Sequence, residues 1–184
     1  MDQNKKYGCV MLMGDIHDWN EQTNIIDPDD VIPHPRKPNA SGIENECHIT
    51  LLYGLHDDVT NDKVKEIIKN FLSTPIQVEL SGLSCFSNDE YDVIKFDVES
   101  DILHQINAEL KKLPYTTQFD EYHPHMTLAY VKKGAGEKYK QIFDQKPKLT
   151  MGKIVYSDVN KSKTNWNLGG FMRRLPSFEE FMNS

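Results

Sequence analysis

His48-Ile49-Thr50-Leu51-Leu52-Tyr53 and His125-Met126-Thr127-Leu128-Ala129-Tyr130 are one six-residue phrase written twice, identical at four of its six positions. Each copy is a β-prone apolar run, so its His and Thr, two residues apart, project from the same face of a strand. A chain with 7 His contains about one H-x-[ST] by chance. Two copies that also share Leu and Tyr do not read that way. As a pair of ordinary core strands, the copies would bury two imidazoles that each need a partner or water. The repeat predicts a sheet in which two histidines and two hydroxyls line one site, a composition suited to moving protons around a phosphate.

The sequence on either side of the copies has a legible order. Tyr7 to Met13 reads as a strand bounded by Gly14, and residues 15–46 form a long polar connection carrying Pro28, Pro33, Pro35 and Pro38, with the character of a lid or binding loop. The first motif strand runs from Cys47 to Tyr53. Val64, Ile67, Ile68, Phe71 and Leu72 fall at helical spacing between Thr60, the expected N-cap, and Ser73, with Pro75 as a stop. Ile76 to Phe86 and Tyr91 to Val98 read as a hairpin turning at residues 87–90. A second helix opens at Ser100 or Asp101, places Leu103, Ile106, Leu110 and Leu113 on one face, and stops before Pro114. After the second motif strand, His125 to Val131, the pattern predicts a short helix over 136–145, a strand from Leu149 to Asp158, and a short strand or loop from Trp166 to Leu168. The order suggests two related halves, each placing an H-x-T on a strand.

At 184 residues the chain suffices for one core built as two lobes and is short for two independent domains. No stretch approaches the roughly 20 apolar residues of a membrane span, and no signal peptide pattern is present. Cys9, Cys47 and Cys85, odd in number and set in apolar runs, read as free thiols in a reducing, cytoplasmic compartment. The net charge of −7 argues against a binder of duplex or other long nucleic acid. From Val131 onward, however, 11 Lys or Arg face 5 Asp or Glu, so Lys132, Lys133, Lys138, Lys140, Lys153, Lys161 and Lys163 are candidates for a basic rim near the second motif. A small anionic substrate suits this distribution.

The two motifs and their setting resemble the 2H phosphoesterases, named for two H-x-[ST] motifs on two similar lobes, over roughly Tyr7 to Asp158. The resemblance implies an α+β, bilobal fold of antiparallel sheet and helices around a central cleft. It further implies metal-independent phosphodiester chemistry with no cofactor, and a catalytic tetrad of His48, Thr50, His125 and Thr127. Within that family, the stretch from Gly42 to His56 and the late Trp are most similar to phage anti-CBASS nucleases, which degrade the cyclic di- and trinucleotides that bacteria use to signal infection. That likeness implies action on a cyclic oligonucleotide, and the chain is expected to act as a monomer. An RNA-end enzyme opening 2′,3′-cyclic phosphates, and a module that sequesters a nucleotide without cutting it, are the competing readings.

In-line displacement at a phosphodiester needs a base, an acid and donors for the equatorial oxygens, and two His with two Thr supply all three. His123-Pro124-His125 with His48 matches no common zinc spacing, so no metal is expected, and His123 reads as a supporting or exposed residue. Among aromatics, Trp166 in polar company is a candidate base-stacking, substrate-binding residue, set against packing at the edge of the second lobe. Trp19 is a weaker candidate, and Tyr53 and Tyr130 read as scaffold.

Overall fold

Buried Val10 and Leu12 alternate with half-buried Met11 and Met13, and this period of two makes Gly8–Gly14 the first strand, β1. A computed structural model describes residues 6–14 and 23–169, and over them the chain is an α+β fold of antiparallel strands and two helices. The motif strands are β4 (His48–Leu55) and β7 (His125–Lys132). Between them lie β5 (Ile76–Ser87) and β6 (Tyr91–Glu99), and β9 (Lys148–Ser157) follows. The main sheet runs β4-β1-β9-β5-β6-β7, with β8 (Gln141–Ile142) beside β5 and β10 (Lys163–Asn167) beside β9.

β9 joins the halves. Its residues 148–151 pair with β5, while the remainder pairs with β1 and β10. Each half of the sequence thus lends one strand to the lobe of the other. Helix α1 (Asn61–Ile68) buries Val64 and Ile68, and Thr60 caps it through Oγ1, which accepts from the Lys63 amide at 3.4 Å. Helix α2 (Asp101–Leu110) buries Leu103, Ile106 and Leu110 and packs on α1 and β4, where the Asn107 amide nitrogen donates to the Leu51 carbonyl at 2.7 Å. The core between the helices and the inner sheet face includes Leu12, Ile49, Leu51, Ile94, Phe96, Met126 and Leu128, all fully buried.

Three sequence expectations need correcting. The connection before the first motif is structured over its described part: after a one-turn 3-10 helix (Pro28–Asp30), β2 (Pro33–His34) and β3 (Lys37–Ser41) form a small hairpin. Every residue of β3 is exposed, so no apolar alternation marks it, and the prolines obscure the rest. The helix expected over 136–145 is one 3-10 turn, Gly136–Tyr139, followed by β8. The last strand begins at Lys163 rather than Trp166. Residues 15–22, with Trp19, lie outside the described residues.

The hairpin's flanks border the β7 edge of the sheet. Val31 and Ile43 bridge to Val131 and Ala129 of β7, and the Glu44 amide donates to the Leu128 carbonyl at 2.8 Å, so the chain borders β7 before it enters β4. Cys47, the last residue before β4, donates its thiol to the Met126 sulfur at 3.8 Å. β4 and β7, the two ends of the strand order, are thereby sewn together. No helix of the described residues is long and apolar enough to cross a membrane.

Candidate active site

β4 and β7 carry the two motifs in the same way. In each, the second and fourth residues (Ile49 and Leu51; Met126 and Leu128) are buried, and the His and Thr between them lie on the other face, half-exposed. His48 Nδ1 donates to the Glu46 carbonyl at 2.9 Å, and His125 Nδ1 donates to the His123 carbonyl at 2.8 Å. A carbonyl only accepts, so Nδ1 carries the hydrogen of each neutral ring and Nε2 is left with a free lone pair. Burial holds the His125 imidazole below its ordinary value, and the neighbouring Lys95 and His48 add to that while Asp97 opposes it. The two imidazoles are therefore within electrostatic reach of one another.

The pairing register surrounds the two histidines differently. Asp97 stands opposite His125 and Lys95 opposite Thr127, so all four share one face. The Lys95 ammonium pairs with the Asp97 carboxylate, which also accepts from Ser84 Oγ at 2.9 Å. At the corresponding positions of the first lobe, Met13 stands opposite His48 and Met11 opposite Thr50. One histidine sits among charges and the other among thioethers. Cys9, on the same face as Thr50, donates its thiol to the Val10 carbonyl at 3.8 Å, and burial pushes that thiol up to about 11, which keeps it protonated and unreactive near neutrality.

Lys95, Asp97 and Tyr122, whose hydroxyl reaches the Thr50 carbonyl, were not singled out from the sequence. The alternation of Lys95 and Asp97 with Ile94, Phe96 and Val98 announces a polar face, but nothing local says that the face adjoins the second motif.

The expected basic rim is dispersed. Lys138 pairs with Asp30 at 2.6 Å, Lys133 with Asp92 at 3.6 Å and Lys140 with Glu137 at 2.6 Å, while Lys163 lies 3.8 Å from Glu46, beside the first motif. His123 is exposed and 3.4 Å from Glu121. Trp166 stands opposite Ile154, whose side chain is fully buried, and rests half-buried against the core; β10 presents Asn165 and Asn167 on the face of the histidines. Among the described residues, a cavity beneath the β2–β3 hairpin and another between the helices are lined by other residues than those of the motifs. Among the described residues no group of three or more His, Cys, Asp or Glu is placed to hold a metal ion.

A sequence profile described as the 2′-5′ RNA ligase superfamily matches residues 40–151, a span that includes both motifs. No curated protein matches the chain. Among solved structures, Usb1 of Kluyveromyces marxianus with uridine monophosphate superposes with a TM-score of 0.57 at 11% identity, over 89% of this chain and 99% of its own. LigT of E. coli complexed with NADP+ gives 0.54 at 11% identity, over 89% and 98%. The Thermus thermophilus protein TT0787 gives 0.54 at 14% identity, over 90% and 100%. These likenesses establish a shared fold.

Proposed function

Because the chain belongs to the 2′-5′ RNA ligase superfamily and is a phosphodiesterase of the two-histidine type, we propose that it opens short cyclic oligonucleotides without a metal ion, through His48, Thr50, His125 and Thr127. The observation that carries the reading is the pair of imidazoles, each held through Nδ1 by the carbonyl two residues before it, with Nε2 free and a Thr on the same face. Two such groups are a complete acid–base pair.

The ribose 2′-oxygen attacks the adjacent phosphorus as its proton passes to His125 Nε2. The bond from phosphorus to the 5′-oxygen breaks, and that oxygen takes the Nε2 proton of His48, which enters this step as the imidazolium and leaves it neutral. A 2′,3′-cyclic phosphate and a free 5′-hydroxyl result, and the roles reverse when water opens the cyclic phosphate. His125 is assigned the base because burial favours its neutral form. The Thr50 and Thr127 hydroxyls donate to the non-bridging oxygens, where charge is held, and the Lys95 ammonium beside Thr127 adds a positive charge on that side.

A small ligand is favoured by the net charge of −7 and by the ion pairs that occupy much of the expected basic rim. Ligands of nucleotide size in the structures of LigT and Usb1 point the same way. With a cyclic di- or trinucleotide as substrate, the consequence in a cell is removal of a signal, as by the phage anti-CBASS nucleases that the sequence resembles. An RNA ending in a 2′,3′-cyclic phosphate is the second reading, favoured by the description of the matching family as 2′-5′ RNA ligases.

The test is a panel of cyclic di- and trinucleotides and a 2′,3′-cyclic-phosphate RNA, in excess EDTA, with wild type, His48→Ala and His125→Ala. Linear product from the cyclic substrates, lost in both variants, is expected. Preference for the RNA selects the second reading, binding without product selects sequestration, and loss in EDTA restored by a divalent ion overturns the metal-free chemistry.

A further inference from the structure

Beyond the thioethers that flank His48, the first lobe changes character. Met13 stands opposite His48, Lys153 of β9 stands opposite Met13, and Asn167 of β10 stands opposite Lys153. Residues paired directly across antiparallel strands share a face, so this row runs from the histidine over one thioether to an ammonium and an amide. The next row runs from Thr50 over Met11 and Val155 to Asn165. Lys163, Asn165 and Asn167 are exposed and alternate with half-buried Thr164 and Trp166. Lys163 also reaches back to lie 3.8 Å from Glu46, whose carbonyl holds His48. The outer edge of the lobe is therefore cationic and rich in amides, and an apolar floor separates it from the histidine.

From this layout we infer that Lys153, Lys163, Asn165 and Asn167 form a seat for a second phosphate, the one carried on the 3′-oxygen of the leaving nucleoside. The inference rests on the proposed phosphodiesterase reading, in which His48 protonates the leaving 5′-oxygen and so faces the nucleoside that departs. Lys153 lies two strands from His48, ~10 Å across the sheet, about the span of one nucleotide. Met11, Met13 and Val155 floor the space that the sugar and base occupy between the two phosphates.

The four residues suit an anion and are little engaged elsewhere. Lys153 is exposed although β9 has a neighbour on both sides, so protection of a sheet edge does not account for it. Among the described residues it has no ion pair. The Lys163–Glu46 contact is long and both side chains are more than half exposed, so a phosphate displaces it at little cost. The side-chain amides of Asn165 and Asn167 supply further donors. The second lobe has no such edge: on the face of His125, β5 and β8 present Phe86 and Ile142, 56% and 87% exposed. The seat is one-sided, and it selects a substrate by the phosphate on its leaving side.

Ribodinucleotides with no terminal phosphate, with a 3′-phosphate on the downstream nucleoside, and with a 5′-phosphate on the upstream one test this. In wild type the 3′-phosphate should raise kcat/KM about 10-fold, and the 5′-phosphate should not. The gain should vanish in Lys153→Gln and in Lys163→Gln, and survive in Lys65→Gln, which removes a charge from helix α1 on the other side of the sheet. An equal loss on a cyclic dinucleotide in the first two variants extends the seat to a diester, whereas a loss confined to the linear 3′-phosphate restricts it to a chain end. No gain in wild type, a gain that persists in both of those variants, or an equal loss in Lys65→Gln overturns the seat. If wild type cleaves no dinucleotide, the catalytic reading fails instead, and affinity decides the seat. The uncleavable 2′-deoxy dinucleotide should then bind about 10-fold tighter with a 3′-phosphate than without it, and Lys153→Gln should abolish the difference; equal affinities in wild type overturn it.

Discussion

The Tyr122 hydroxyl donates to the Thr50 carbonyl across 3.0 Å. Tyr122 lies three residues before the second motif and Thr50 lies within the first, so this bond ties the approach to one histidine to the strand of the other. Burial raises the phenol well above its ordinary value, which keeps it a donor at any working pH. Tyr122→Phe keeps the ring and removes the tie. Stability should fall by about 1 kcal/mol, while kcat falls roughly 10-fold with KM little changed, because the spacing of the imidazoles is loosened. Chemical denaturation and steady-state kinetics on the same samples check both; an unchanged kcat would make the bond purely structural.

His48→Ala and His125→Ala should each lower kcat by about 10²–10⁴-fold, and the double variant should be little worse than either single, because base and acid act in one step. Thr50→Val and Thr127→Val should cost on the order of 10²-fold apiece, as losses of one phosphate donor. Single-turnover cleavage with saturating enzyme separates these effects from binding. Additive losses in the double histidine variant would show that the two rings do not cooperate.

The pH profile follows from the neighbours of His125. A base must be neutral, and burial, reinforced by Lys95, holds His125 below the usual imidazole value of about 6.5. Activity should therefore persist down to a pH below that value and fall only as the ring protonates. Lys95→Met removes a nearby cation and frees Asp97 to favour the imidazolium, so the acid limb should move upward. Lys95→Arg should restore it. A limb that stays put in Lys95→Met would assign the acid-side titration to another group.

Gly42 meets Tyr130 where no side chain fits. A Cβ there would lie 2.1 Å from the Ile32 carbonyl oxygen and 2.8 Å from that of Tyr130. Gly42→Ala should destabilise the fold by on the order of 3 kcal/mol, seen as a lower denaturant midpoint at constant slope. Activity should fall with it, since this stretch leads directly into His48.

What the sequence announced and what it concealed divide by range. The alternations in Gly8–Gly14 and Tyr91–Glu99, the Thr60 cap and the apolar spacing of α2 are local signals, and the strands and helices appear close to where those signals place them. The hairpin at Pro33–Ser41 was concealed because its stability comes from β7 rather than from any apolar face of its own. Lys95 and Asp97 join the site only through the register of β6 on β7, about thirty residues apart in the chain. Each motif strand carries a β-bulge, at Leu51 and at Leu128, and the bulges did leave a trace: Leu51-Leu52 and Leu128-Ala129 put two apolar residues in succession at the same point of both copies, where strict alternation would put one. That doublet was the available clue that each Tyr shares the face of its His.

Residues 42–44 border β7 and the chain then becomes β4 beside β1, so the two ends of the strand order are tied by a short run of covalent chain. Spreading the lobes would stretch residues 45–47, the few residues between the two borders, so this tether limits how far the lobes can swing apart.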